Sequence, residues 1–250
     1  MELTGAVAIV TGAGRASAGR RRWRWRGAAL WSRWLPARNP EVESVAGEVE
    51  AVGVDGLARC RRRLGREDDV AGMVDRTLQT YGRVDILVNN AGTALPERPV
   101  VDTSPADWER VLRVNLTGPF LCARAVLPIM MRQHAGKIVN VASIGGRVGF
   151  AGIAAYGAAK AGLLHFTASL AAEVKRFGID VNAVCPSGTD TRMLHETGRA
   201  KGRTNLIRPE EIANVILFLV SPESSAITGT AIDAYGMSNP LFGPLRPAEK

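Results

Sequence analysis

The chain has 250 residues, 46% of them apolar, which suits one large core and is too short for two ordinary enzyme domains. Its net charge of +8 belongs to one window: residues 15–38 hold eight arginines and no acid, and outside it basic and acidic residues balance at 24 each. That distribution excludes a generally basic nucleic-acid binder. Three cysteines without ligand spacing exclude a disulfide scaffold, and no apolar run approaches the roughly 20 residues of a membrane span.

In chain order, the N-terminus runs straight into a strand-like segment, which argues against a signal peptide and for a cytoplasmic protein with reduced thiols. Residues 6–11 are a short apolar run ending in a glycine-rich turn and are predicted as a buried parallel strand. Residues 68–81 carry apolar side chains at helical spacing (Val70, Met73, Val74, Leu78). A strand is predicted over 85–89. A long helical region follows over 105–133, with Ser104 as its N-cap. Residues 137–142 read as a strand, and 154–177 as an Ala-rich helix stopped by Gly178. Residues 180–185 read as a strand. Residues 209–220 form a helix that opens with Pro-Glu-Glu and is followed by Pro222; a last short strand covers 231–233. Strands alternating with helices mean βαβ crossovers: an α/β fold, a doubly wound parallel sheet in a single domain, with no internal repeat.

Four groups of residues carry chemistry. Tyr156 and Lys160 are spaced i, i+4 and share a helix face. A cation beside a phenol favours the phenolate, so Tyr156 becomes a proton donor or acceptor near neutral pH. The same spacing alone also occurs on solvated helix faces. Ser143 stands at the carboxyl end of the strand 137–142, where parallel sheets bind ligands, and can bond the oxygen that Tyr156 protonates. Its plain alternative is a strand-end turn serine. Asn89-Asn90-Ala91-Gly92 closes the strand 85–89. Asn115 lies inside a helical stretch, where asparagine competes for backbone bonds; its plain alternative is a kink caused by Pro119. His134, His165 and His195 stand at no metal-ligand separation, so no metal is expected.

Thr11-Gly12-x-Gly14, Asn89 to Gly92, Asn115, Ser143, Tyr156-x-x-x-Lys160 and Cys185-Pro186 through Thr191 occur in the order and spacing of the short-chain dehydrogenase/reductase family. The chain resembles that family over roughly residues 3–14, 39–53 and 65–236. The resemblance implies a Rossmann-like domain over 1–250, with a cofactor half at about 1–135 and a catalytic and substrate half at about 136–250. It implies hydride transfer between NAD or NADP and a secondary alcohol or ketone, of small-alcohol, sugar or 3-oxoacyl type. Tyr156 would be general acid or base. Lys160 would lower its pKa and hold the nicotinamide ribose. Ser143 would orient the substrate oxygen, and Asn115 would hold a relay water. Gly12, Gly14 and Arg15 would form the dinucleotide turn. Asn89, Ala91 and Gly92 would border the cofactor, and Pro186, Thr189 and Thr191 would face the nicotinamide. The resemblance further implies a homotetramer or dimer built on the helices 105–133 and 154–177, with neither nucleic acid nor membrane as partner.

The first turn departs from the family pattern. Ala16 and Ala18 stand where its two later glycines belong, and 20–26 read Arg-Arg-Arg-Trp-Arg-Trp-Arg. Four of the five tryptophans fall between 23 and 34. Residues 16–37 read as a frameshifted translation of a GC-rich gene, since shifting the frame restores a helix end, a turn and an apolar strand. Residues 54–64 resemble a second such event. The rival is a basic-aromatic arm that binds nucleic acid by phosphate contact and stacking, or an anionic membrane. A third alternative is a catalytically silent scaffold. Ala37 stands where a ribose-binding acid is expected and Arg38 could meet a 2′-phosphate; a restored frame could give an acid at 37, which leans the reading slightly to NAD. The segment 191–208 is short, polar and basic (Arg192, His195, Arg199, Lys201, Arg203), as fits either an anionic substrate or a solvated loop.

Overall fold

The computed structural model describes residue 3 and residues 5–12 and 65–236. Five described strands form one parallel sheet in the order β1 (Ala8–Val10), β2 (Ile86–Asn89), β3 (Gly136–Val141), β4 (Ile179–Pro186) and β5 (Ala231–Ala234). All five lie at the predicted positions, within two residues at each end. The predicted region 16–37 and the stretch 54–64 fall outside the described residues.

The register explains the two cores. Ile9, Leu87, Ile138 and Val181 pair in a row across four strands. Because strand side chains alternate between faces, the whole row points one way. It packs on α1 (Glu67–Tyr81), α3 (Gly118–Gln133) and α4 (Ala154–Val174) through Val70, Met73, Cys122, Val126, Leu170 and Val174. The next row, Val10, Val88 and Val139, faces the other way onto α6 (Pro209–Val220), meeting Ile212, Ile216 and Leu219. Helices on both faces make the fold a single-domain, Rossmann-like α/β sheet. Burying each Ile or Leu of these rows contributes about 1.5–3 kcal/mol, and Ile138→Ala would leave a cavity costing about 2–5 kcal/mol.

Helix boundaries follow local chemistry. Ser104 accepts a hydrogen bond from the Asp107 amide (3.1 Å) and opens α2 (Pro105–Leu112). Gly178, at φ 68°, ends the turn after α4. The region 105–133, expected as one helix, is α2, a π-helical turn at Arg113–Thr117, and α3. The cause is local. Asn115 Nδ2 takes the carbonyl of Val111 (2.9 Å), and Pro119 has no N–H to return to the carbonyl of Asn115, so the turn opens. This stretch is long and apolar enough, by length and composition, to cross a bilayer, contrary to the expectation that no run reaches that length; 44% of its most apolar window is buried against the rest of the fold. The segment 191–208, expected as loop, contains a short helix α5 (Arg192–Glu196) capped by Thr191.

Candidate active site

A cleft of about 630 Å³ opens at the carboxyl ends of the strands. Ser143 stands two residues past β3 in extended conformation, and its Oγ accepts the Gly145 amide at 3.1 Å, fixing a tight turn over Ile144–Gly146. That turn presses against α4. A Cβ on Gly146 would stand 2.7 Å from the Lys160 carbonyl carbon, and one on Gly157 would stand 3.0 Å from the Gly145 oxygen. Glycine at both places lets backbone meet backbone and sets Ser143 beside Tyr156, where the serine hydroxyl favours the phenolate. Lys160, one helical turn on, is 4% exposed. Its Nζ donates to the Val141 carbonyl at 2.7 Å and lies 5.7 Å from the Tyr156 ring centroid.

The electrostatics differ from the expectation that Lys160 lowers the phenol. Burial pushes Tyr156 up, and the groups that oppose it are the Ser143 hydroxyl and the Arg199 charge. Burial also pushes Lys160 down to about 8, because its ammonium is turned to a neutral carbonyl rather than to a counter-ion. A phenol raised above its ordinary value is protonated at neutral pH, as a proton donor must be.

Other predicted residues are distributed around this centre. Asn115 is fully buried; its side chain donates to Thr93 O (2.8 Å) and accepts from Thr93 N (3.2 Å), pinning the segment after β2 to the π-helical turn. Gly92 lies between Asn115 and Lys160: a Cβ there would be 3.0 Å from Asn115 Oδ1 and 3.9 Å from Lys160 Nζ. Gly92, Pro186, Thr189 and Thr191 line the cleft. Asn89 and Ala91 do not; they brace its floor. Asn89 donates to Asn140 (2.9 Å), which donates to Thr167 (2.9 Å), a buried polar chain across β2, β3 and α4. The Ala91 and Asn90 amides donate to Thr11 Oγ1 at 3.0 and 3.1 Å, and Gly12, at φ 71°, sits where a Cβ would meet the Ala91 Cα at 2.6 Å. Gly14, Arg15 and Arg38 lie outside the described residues. Among the described residues no three His, Cys, Asp or Glu side chains cluster as metal ligands.

Sequence reasoning missed Thr11 as the tie between β1 and β2, and did not separate Arg199 from its basic neighbours. A threonine at a strand end beside Asn-Asn carried a signal, since a hydroxyl can accept two amides. The Arg199 signal was weaker, because a basic loop does not say which arginine turns inward.

A family model described as enoyl-(acyl carrier protein) reductase matches residues 11–236. The chain is 38% identical over 251 residues to the cis-4-hydroxycyclohexanecarboxylate dehydrogenase of Sinomonas cyclohexanicum, covering 92% of this chain and 95% of that one. A crystal structure of a short-chain type dehydrogenase/reductase from Mycobacterium marinum superposes with a TM-score of 0.84 at 29% identity, covering 95% and 97% of the two chains. NAD+-bound xylitol dehydrogenase superposes with a TM-score of 0.82 at 28% identity, covering 93% and 98%.

Proposed function

Because the chain belongs to the short-chain dehydrogenase/reductase family, we propose that the Ser143, Tyr156 and Lys160 cleft is where this NAD(P)-dependent oxidoreductase of CH–OH groups does its chemistry. The observation that carries the assignment is the convergence of a strand-end hydroxyl, a protonated phenol and a buried ammonium at the mouth of one crevice. The described residues fit the nicotinamide end of a dinucleotide. Lys160 spends one donor on Val141, and its Nζ faces Gly92, past which a ribose would lie. Thr189, Thr191 and Pro186 line the same cleft.

When bound, the nicotinamide gives or takes the hydride. The chain's own residues do the rest. The Ser143 hydroxyl holds the substrate oxygen, and Tyr156 Oη delivers a proton to that oxygen in reduction or removes it in oxidation. Lys160 would hold the ribose, and Asn115 would stand behind it as the support of a water that returns the proton. Asn89, Ala91 and Gly92 set the floor of the nicotinamide site. Gly12, Gly14 and Arg15 would meet the pyrophosphate and Arg38 the adenosine end, with NAD preferred.

The substrate class is a secondary alcohol or ketone: an alicyclic or aliphatic alcohol, a sugar alcohol or a 3-oxoacyl compound. The single domain would divide into a cofactor half at about 1–135 and a substrate half at about 136–250. It would act in the cytoplasm as a homotetramer or dimer. Residues 16–37, and 54–64 with them, are read as out of frame; a source-DNA sequence free of compensating insertions and deletions removes that reading.

The deciding measurement follows NADH and NADPH fluorescence on titration, then turnover of a panel that includes 4-hydroxycyclohexanecarboxylate, xylitol and a 3-oxoacyl thioester. Turnover unchanged by Tyr156→Phe refutes the site. Cofactor binding without turnover of any member supports the silent-scaffold alternative.

A further inference from the structure

We infer that Arg199 anchors a substrate anion, and that the substrate is a secondary alcohol or ketone carrying a carboxylate a few bonds from its reacting carbon. This rests on the oxidoreductase reading above and narrows it.

Position comes first. The Arg199 guanidinium carbon lies 5.7 Å from the centroid of the Tyr156 ring. A molecule with its oxygen between Ser143 and Tyr156 therefore has Arg199 beside it. The basic residues of the same segment separate clearly in the structure. Arg192 pairs with Glu196 and His195 with Asp190 at the surface, whereas the Arg199 side chain is turned into the cleft and is 14% exposed, against 58% for Arg192.

Pairing comes second. A guanidinium offers five donors in a planar fork. Arg199 Nη2 gives one to the Leu95 carbonyl at 3.2 Å. Its Nε is buried without a hydrogen bond and has only a loose ion pair, at 3.4 Å, with Glu97, whose side chain is 58% exposed. Burying a cation this incompletely paired is costly unless an anion arrives to complete it.

Local charge gives the sign of what is missing. The described residues lining the cleft include Lys160, Arg199 and Arg203 but a single acid, Glu97. Arg203 stands exposed on the rim with its Nη1 2.7 Å from where a Cβ on Gly188 would lie, so the absent side chain at 188 makes its room. The two guanidinium groups oppose each other's charge. A carboxylate satisfies the fork bidentately and relieves that opposition. The same cleft is lined by the apolar side chains Phe150, Ile153, Met193 and Leu194, which suits a hydrocarbon ring or short chain joining the two ends.

The test compares 4-oxocyclohexanecarboxylate with its methyl ester, using the nicotinamide cofactor the protein binds, and measures cyclohexanecarboxylate against cyclohexanecarboxamide by calorimetry. The expected result is a preference for the acid over the ester of about 10–100-fold in kcat/KM, carried by KM, and a similar preference in Kd. Arg199→Met abolishes both preferences, and Arg199→Lys keeps part of them. Equal use of acid and ester by the unaltered protein overturns the anchor and leaves the oxidoreductase intact. Preferential carboxylate binding with no turnover of either ketone sinks the oxidoreductase reading and leaves the anchor. If Arg199→Met slows ester and acid alike and moves the pH profile, Arg199 acts on the Tyr156 proton instead. The comparison within the unaltered protein needs no variant to fold.

Discussion

The two walls of the cleft are held in opposite ways. On the wall made by β3 and α4, backbone touches backbone: Gly146 lies against Lys160, Gly157 against the Gly145 oxygen, and Lys160 Nζ is fixed on the Val141 carbonyl. On the wall made by residues 191–205, position depends on side chains hung from a five-residue helix and turns. The first wall cannot shift without shifting a 21-residue helix and the sheet beneath it. The second can re-aim a guanidinium by rotamer. On the proposed assignment, proton placement is built into the backbone, and substrate choice into side chains on a surface segment.

The sharpest contrast should appear in kinetics. Tyr156→Phe removes the proposed proton donor and keeps the ring that Arg199 lies over. Its kcat is expected to fall by about 10²–10⁴-fold with KM nearly unchanged, as measured in ketone reduction. A variant that instead raises KM alone would show that Tyr156 only packs against the substrate.

Glycine-to-alanine pairs probe the walls directly. In Gly146→Ala the new methyl meets the Lys160 backbone at 2.7–2.9 Å, so turn and helix must part. The overpacking costs about 1–3 kcal/mol of stability, and kcat drops with it. In Gly188→Ala the methyl meets only the end of Arg203 and Leu206 Cδ2 at 3.3 Å. Its stability should stay within about 0.5 kcal/mol, with any kinetic effect confined to KM. Thermal melts and kinetics on both variants decide; equal losses would erase the distinction between the walls.

Beneath the rigid wall runs the buried chain Asn89, Asn140 and Thr167. Asn140 is fully buried, so Asn140→Val leaves the Asn89 amide and the Thr167 hydroxyl short of a partner. The expected cost is about 1–3 kcal/mol in urea unfolding. A neutral result would mean the chain is ornamental and the glycine contacts alone hold the wall.

Much of this was legible in sequence, for physical reasons that differ by residue. Strand positions were readable because apolar runs in a parallel sheet are buried on both faces, as Ile138 and Val139 show by facing opposite cores. Gly178 and Ser104 were readable because a left-handed cap and an N-cap are local chemistry. Tyr156, Lys160 and Ser143 were readable as a set because a helix turn and a strand end fix their spacing. Three features were not. Whether Lys160 or Arg199 acts on the phenol depends on which acceptor the ammonium finds, a tertiary matter. The π-helical turn needed both Asn115 and Pro119, each of which alone suggests a simple kink. The inward turn of Arg199, among six basic residues in 191–208, depends on Leu95 and Glu97 lying across the cleft about a hundred residues earlier in the chain.

The last contrast lies in the pH dependence of stability, where Lys160 belongs wholly to the rigid wall. Its folded-state pKa is about 8 against an ordinary 10.5, because burial disfavours the charge. Between those values the unfolded chain holds a proton that the folded chain has released, so raising the pH through this window adds stability, and below about 8 the buried ammonium is a net cost. Lys160→Met removes that titration. The difference in unfolding free energy between the two proteins should therefore change from about pH 8 to pH 10 in favour of the unaltered one, as urea midpoints taken at both pH values would show. A constant difference would mean that Lys160 keeps its proton in the fold, with Val141 and the cleft solvating it as well as water does. The wall that holds the reacting phenol would then carry a permanent positive charge.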